Sequence, residues 1–518
     1  MDITTTIGRF SAVIGLAATV WAVPQAAWTQ EASGGTLNVA ITGEPPTLDA
    51  HQSTAFITQS IGWHIYEGLF TLDANYDAVP MLAESYEFDE NRNTYVIDIR
   101  ADVPFHDGTV LDADDVIASL ERWSDKSNYG RLMFDNVVEL RKTGDLTIEI
   151  ELAEASPIVP MMLAFPNQQA AIYPASVIEE YGEGEIRSYV GTGPFRFDEH
   201  VPDQHIRLMR FEDYAALEGE ADGMGGARTA HFEQLTFVPT PEVSVRLEGV
   251  QTGLFDITDQ VSQDMAPMID LYPNVEATIT KPYWWTMAVF NKSRAPFDDQ
   301  RVRQAFVLGV NNEEIMGAAF ASQDFYRLDP GILFQEQANW WTDADGGMYG
   351  ANDVERARAL LEEAGYDGEP LKWLTTREYD FMYRNALVAV DQLRAVGFNI
   401  ELEVVDWATI VQQRNDPEAY HIFSGATTFT PDPGVWPCFD SAWPGFWEDS
   451  VKDDLVQRLN TQMDPEARLG VWEELQTHFW EAAPMAKFGD FFILGVKSTQ
   501  VQNFEATPFP FYWNVWKE

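Results

Sequence analysis

Cysteine is almost missing from this chain: 518 residues contain one, Cys438. No intramolecular disulfide can form, and neither a C-x-x-C redox motif nor a multi-cysteine zinc site is possible. No cysteine lies near the N-terminus, which excludes lipid attachment through one. Basic residues are also scarce, with 33 Lys and Arg against 82 Asp and Glu, a formal net charge of -49. Such a surface repels nucleic acid and anionic lipid and favours a soluble monomer. The acids are scattered, and no Asp-x-Asp-x-Asp-Gly loop marks a calcium site. Catalytic patterns are missing too. There is no Gly-x-Ser-x-Gly elbow and no His-Glu-x-x-His pair, and His51, His64, His106, His200, His205 and His231 lack the companions of a zinc centre. With so many acids, any two could be named a glycosidase pair, so that signal is empty. The glycines of GTGPFRF at 191–197 lead into a strand without a Lys-Ser/Thr pair, so they cradle no phosphate. No metal or cofactor is expected.

Long apolar runs occur only at the start, where FSAVIGLAATVWAV at 10–23 follows Arg9 and precedes Pro24. It is short for a membrane span and is expected to be a secretory signal, with cleavage between Ala22 and Ala32. The remainder, 45% apolar and 22% charged, is long enough for two or three cores. Helices are expected at 59–70, 241–249, 301–310, 385–396, 407–414 and 464–483, with another in VERARALLEEAG. Strands are expected at 231–238, 275–279, 419–423 and 485–494. Helices that end at Gly253, Gly365 and Gly397 before strands argue for an α/β fold.

One stretch carries more information than the rest. In residues 65–123, two alternating runs flank DENRN as a hairpin, VPFHDGT makes a turn, and Asp112 to Asp115 open the helix VIASLERW. The parts YEGLF, VPMLAESYEFDENRNTYVIDIRADVPFHDGT and ADDVIASLER resemble the signature of the large extracytoplasmic solute-binding proteins of ABC importers, the dipeptide and oligopeptide (family 5) type. GGTLNVAITGEPPTLD, GTGPFRF, QTGLFDIT and FNKSRAPFDDQRVRQAF extend the resemblance from Gly34 to Glu518. It implies an α/β periplasmic-binding fold with two main lobes, a hinge and a small extra domain. The expected boundaries are 34–68, 191–281 and 490–518 for the first lobe, 69–190 for the small domain and 282–489 for the second. The hinge is expected near Lys281-Pro282 and Lys487 to Asp490.

The resemblance also implies periplasmic capture of a small organic or peptide-like solute between the lobes, and delivery to inner-membrane permease subunits. Sensor or chaperone use of the same fold is an alternative. An extracytoplasmic hydrolase would need a convergent base and nucleophile that the sequence does not show. The segment ATTFTPDPGVWPCFDSAWPGFW joins three Trp and three Phe to two acids, and rings fixed by prolines make rigid pocket walls. In the family this segment faces the cleft. The peptide binders carry an aspartate there, three residues before an Asp-Pro pair, that holds the ligand's α-ammonium. Here Asp432-Pro433 is the pair and Phe429 takes the aspartate's place. An ammonium buried there would lack its anion at a cost of several kcal/mol. That departure favours a ligand without a free α-amine, or one whose charge meets ring faces or another acid. Arg377, after an expected strand, could hold a carboxylate. Glu44, Tyr283, Trp285, Trp407, Asp432 and Trp436 complete the expected ligand-binding set with Phe429.

Overall fold

A computed structural model describes residues 34–320 and 322–518, so the expected signal segment lies outside the described residues. The signature stretch folds locally as its pattern dictates. Strands Ala83–Asp89 and Thr94–Ile99 pair antiparallel, and Thr147–Leu152 and Val137–Gly144 complete a four-stranded sheet. Helix Ala113–Lys126 packs beside it. Its Asp112 side chain accepts the Asp114 and Asp115 N–H groups, and the Asp115 side chain accepts that of Asp112, a reciprocal cap. Val116, Leu120 and Trp123 recur on the buried face of this helix. His106 of VPFHDGT staples the module to the next segment, its Nε2 lying 2.9 Å from the Gly193 carbonyl oxygen while Nδ1 accepts the Gly191 N–H. Gly191 is required there, because a Cβ would collide with the Ile65 carbonyl oxygen.

An eleven-stranded mixed sheet runs through both lobes. At one end the parallel strands Leu371–Thr375, Ile400–Val404 and Ile422–Thr427 are flanked by helices such as Asp380–Val396, the pattern of an α/β lobe. At the other end Thr36–Ile41 pairs parallel with both Gln234–Pro239 and Ile257–Val261. Two long antiparallel strands, Val275–Phe290 and Met485–Ser498, join the ends. The expected strands at 275–279 and 485–494 are therefore parts of longer ones. Pro282 does not end the first; it lacks an N–H, and the ladder skips from Thr280 to Trp284 before resuming. The helix expected at 59–70 is instead Phe56–Ile65. Beyond it the chain extends, the Glu67 carbonyl accepting the Ile172 N–H, and Phe70–Leu72 pairs with Ala78–Pro80.

Four deep acids of this fold hold cations. Asp49 pairs with Arg122 at 2.6 Å, Glu67 with Arg228 at 3.1 Å, and Asp490 with Lys487 at 2.7 Å. Arg468 grips both oxygens of the buried Asp432 at 2.7 Å, donates to the Leu459 carbonyl, and lies 4.8 Å over the Trp340 ring. Replacing one partner strands the other in the core. Arg468→Met is expected to cost roughly 3–5 kcal/mol in urea denaturation, and a loss below about 1 kcal/mol would contradict this reading.

Candidate functional site

The strand crossing carries a cavity of about 910 Å³, which is near the upper end of small-molecule sites. Tyr283 and Trp284 of one long strand stack face to face at 4.8 Å on its floor. Strand alternation would send neighbouring side chains to opposite faces, and the skipped register at Pro282 is what lets both rings share one. Phe491 of the partner strand meets Tyr283 edge-on at 5.8 Å. From the second lobe, Phe320 and Phe381 buttress Phe491 at 4.9 and 4.8 Å. The loop after Ile422–Thr427 brings Thr428 and Phe429 to the wall. The opposite wall is Trp63, Phe165, Phe509 and Tyr512. It is fastened at His64, whose Nε2 accepts the Tyr512 N–H at 3.0 Å while Nδ1 lies 2.9 Å from the Ser60 carbonyl oxygen. Burial holds His64 down at about 3, so the ring stays neutral and keeps that acceptor.

Polar groups are few and unevenly charged. Four acids line the cavity, Asp259, Asp264, Glu378 and Asp380, against one base, Arg384. Asp380 is paired with Arg384 at 2.5 Å, Glu378 accepts the Trp407 N–H, and Asp264 accepts the Ser262 hydroxyl. Asp259 differs. It sits at a bulge where the ladder shifts between Thr258 and Val261, with Gln260 at φ 51°. Among the described residues no side chain donates to its carboxylate. Arg246 is the nearby cation, but its Nη groups go to the Thr240, Pro241 and Gln260 carbonyls, and its Nε has no partner among the described residues. Burial raises the Asp259 carboxyl from 3.8 to about 6, Arg246 offsetting this only in part. Two further polar atoms on the lining, Asn167 Oδ1 and Thr507 Oγ1, have no partner among the described residues.

The expected ligand-binding residues separate into two groups. Tyr283 and Phe429 line the cavity together. Phe429 packs at 4.8 Å on Tyr76 and 5.3 Å on Phe509. The other six lie outside its wall. Trp285 is fully buried on the other face of its strand, donating to the Ile332 carbonyl and packing on Trp436. Trp436, Phe439 and Trp447 fill the interior of the second lobe, so among the described residues Phe429 is the one ring of that segment that reaches the cavity. Asp432 is committed to Arg468. Arg377 is exposed and lies 4.3 Å over the Tyr383 ring, donating to its hydroxyl. Trp407 supports Tyr379, a lining residue, edge-on at 5.3 Å. Glu44 accepts from His200 and from the Asp203 N–H. Cys438 is buried, which pushes its thiol up and away from nucleophile chemistry. No group of His, Cys, Asp and Glu among the described residues is placed to hold a metal ion, and no described helix is long and apolar enough to cross a membrane.

The Asp259 environment has a direct consequence for stability. The folded carboxyl titrates near 6 and the unfolded one near 3.8, so the folded state loses stability as pH rises between these values. Asp259→Asn escapes that loss. In thermal scans without added ligand the variant is expected to melt above the wild type at about pH 7.5, the two converging below about pH 4. Identical melting temperatures throughout would contradict a desolvated carboxylate.

Comparison with known proteins places the chain. Residues 77–445 match the family model described as bacterial extracellular solute-binding proteins, family 5 Middle. The probable peptide ABC transporter periplasmic-binding protein y4tO of Sinorhizobium fredii is 25% identical over 495 residues, covering 91% of each chain. The glutathione-binding protein GsiB of Escherichia coli is 25% identical over 468 residues, covering 86% of this chain and 87% of the other. Among solved structures, the ABC transporter substrate-binding protein CtaP of Listeria monocytogenes superimposes with a TM-score of 0.81 at 19% identity, over 94% of this chain and 99% of that one. The bilobal α/β sheet with its ring-lined cleft is thus a periplasmic, non-catalytic binding fold, and the chain belongs to family 5 of the bacterial extracellular solute-binding proteins.

Proposed function

We propose that this protein captures a small organic solute with a substantial apolar or aromatic part, and delivers it chemically unchanged to the permease subunits of an ABC importer. The observation that carries this reading is the composition of the cleft wall. Tyr283, Trp284, Phe491, Phe429, Phe509 and Tyr512 surround about 910 Å³. Flat, rigid rings bury ligand surface at low entropic cost. Phe429 stands where the peptide binders carry their α-ammonium anchor, which argues against the ordinary mode of free-peptide binding. The cavity's single Arg384 is already engaged by Asp380, which disfavours carboxylate-rich solutes such as the glutathione that names one relative. Closure is proposed to bend the two long strands where their ladder shifts, at Thr280/Trp284 and Thr286/Met287. Bending there moves the walls while leaving each lobe intact.

Protein purified from the periplasm without denaturation is expected to release an organic solute identifiable by mass spectrometry. Added back at about 100 Kd, that solute should raise apparent stability by roughly 2.7 kcal/mol. Tyr283→Ala and Trp284→Ala are each expected to weaken its binding roughly tenfold in calorimetry. Arg377→Ala, outside the wall, should leave affinity unchanged. An affinity that follows Arg377 and ignores both rings would move the site elsewhere.

A further inference from the structure

We propose that Asp259 is the counter-charge for a protonated amine on an aromatic solute, and so determines which solutes this cleft accepts. This rests on the solute-capture reading above and names the solute's class. The chain treats its acids unevenly. Asp49, Glu67, Asp432 and Asp490 are deeply buried, and each is matched by Arg or Lys at 2.6–3.1 Å, while the buried Asp329 is met by the Gly331 N–H, Gln335 and Trp341. Asp256, one strand turn before the site, is held by Lys517 at 2.7 Å. Asp259 alone of these faces a cavity, and it has no such partner among the described residues. A half-buried carboxylate without a cation is destabilising, so its position calls for an occupant that supplies the missing charge.

The surroundings fit a cation better than an anion or a neutral polar group. Around Asp259 stand Arg246 from helix Val243–Thr252, Tyr283 from the long strand and Tyr512 from the C-terminal segment, and Asp264 lines the same cavity. Arg246 turns its two Nη groups toward three carbonyls and none of its N–H groups bonds the carboxylate, so it tempers the local field without neutralising it. Burial raises the Tyr283 and Tyr512 hydroxyls well above their ordinary range, so both stay neutral; Tyr512 is itself stacked on His64 and Phe504 and adds no negative charge to the site. An ammonium seated at Asp259 would bond the carboxylate while the aromatic body of the same molecule lies against Tyr283 and Trp284. Toward the far wall, Asn167 Oδ1 offers an unused acceptor for a second N–H or O–H. The carboxyl, ionised above about 6, would be drawn lower by the bound cation, so binding strengthens as pH rises through that value and then levels off.

Two matched sets test this by calorimetry on the full chain: tryptamine, indole-3-acetamide and indole-3-acetate, and phenethylamine, phenylacetamide and phenylacetate. At about pH 7.5 the amine of at least one set is expected to bind roughly thirtyfold or more tighter than its amide and carboxylate. That preference should shrink by about tenfold per pH unit below about 6 and disappear in Asp259→Asn. The variant's higher melting temperature at neutral pH would show that it is folded. Amide bound as tightly as amine, with both weakened by Tyr283→Ala, would overturn the Asp259 assignment and leave solute capture standing. A preference that survives in Asp259→Asn, or no binding by either amine, would also overturn it. Absence of any co-purifying or added solute in the cleft would instead remove the capture reading beneath it.

Discussion

Both lobes hang on one antiparallel ladder, and the site exists because that ladder is imperfect. Val275–Phe290 and Met485–Ser498 pair along most of their length, so their backbone groups are satisfied where they pass between the lobes. A regular ladder would have alternated its side chains and presented half of its rings to each face. The skip at Pro282 breaks the alternation, and Tyr283 and Trp284 come to lie together on the cleft side while Trp285 returns to the core. The bulge at Thr258/Val261 on the neighbouring strand does the same for Asp259. Irregular pairing is therefore what aims functional groups, and regular pairing is what holds the platform still.

Electrostatics divides along the same line. Across the surface the acidic excess is diffuse and screened by solvent and salt, which makes it a property of solubility more than of recognition. Inside, charge is rationed: Asp49, Glu67, Asp432 and Asp490 are matched by Arg or Lys, Asp329 is met by the Gly331 N–H, Gln335 and Trp341, and buried histidines such as His51 and His64 are held neutral, near 4 and 3. Against that background an unmatched carboxylate among rings carries information, whereas the net charge of -49 carries almost none about the ligand. Tolerating such a group lowers the stability of the empty protein, the usual cost of keeping a site ready for an oppositely charged partner.

Much of the fold was legible in the sequence because its signals are local. Asp112 and Asp115 announce a capped helix, and both the left-handed Gly253 and Gly365 mark helix ends before strands, as the structure shows. The long strands were less legible, since Pro282 reads as a terminator until the partner strand is known to resume pairing beyond it. Within the site, Tyr283 and Phe429 were within reach, the first as part of an aromatic triplet and the second as a departure from a known pattern. Trp436, expected at the ligand, lies in the interior for a physical reason. Prolines beside tryptophans stiffen a loop whether the rings face a ligand or the interior, and here they face the interior. Asp259 sent no signal at all. In ITDQV it is one acid among 82, and only its place on the cavity wall without an Arg or Lys partner singles it out.

An organic solute is proposed to lie on the strand crossing, its rings or chain against Tyr283 and Trp284 and its charge toward Asp259. Diffraction from crystals of protein purified from the periplasm without denaturation tests that most directly. Density for one organic molecule within hydrogen-bonding distance of the Asp259 carboxylate and in contact with both rings is the result this account requires. A solute seated on Arg377 or within the core of the second lobe, with the crossing filled by the protein's own side chains, would contradict it.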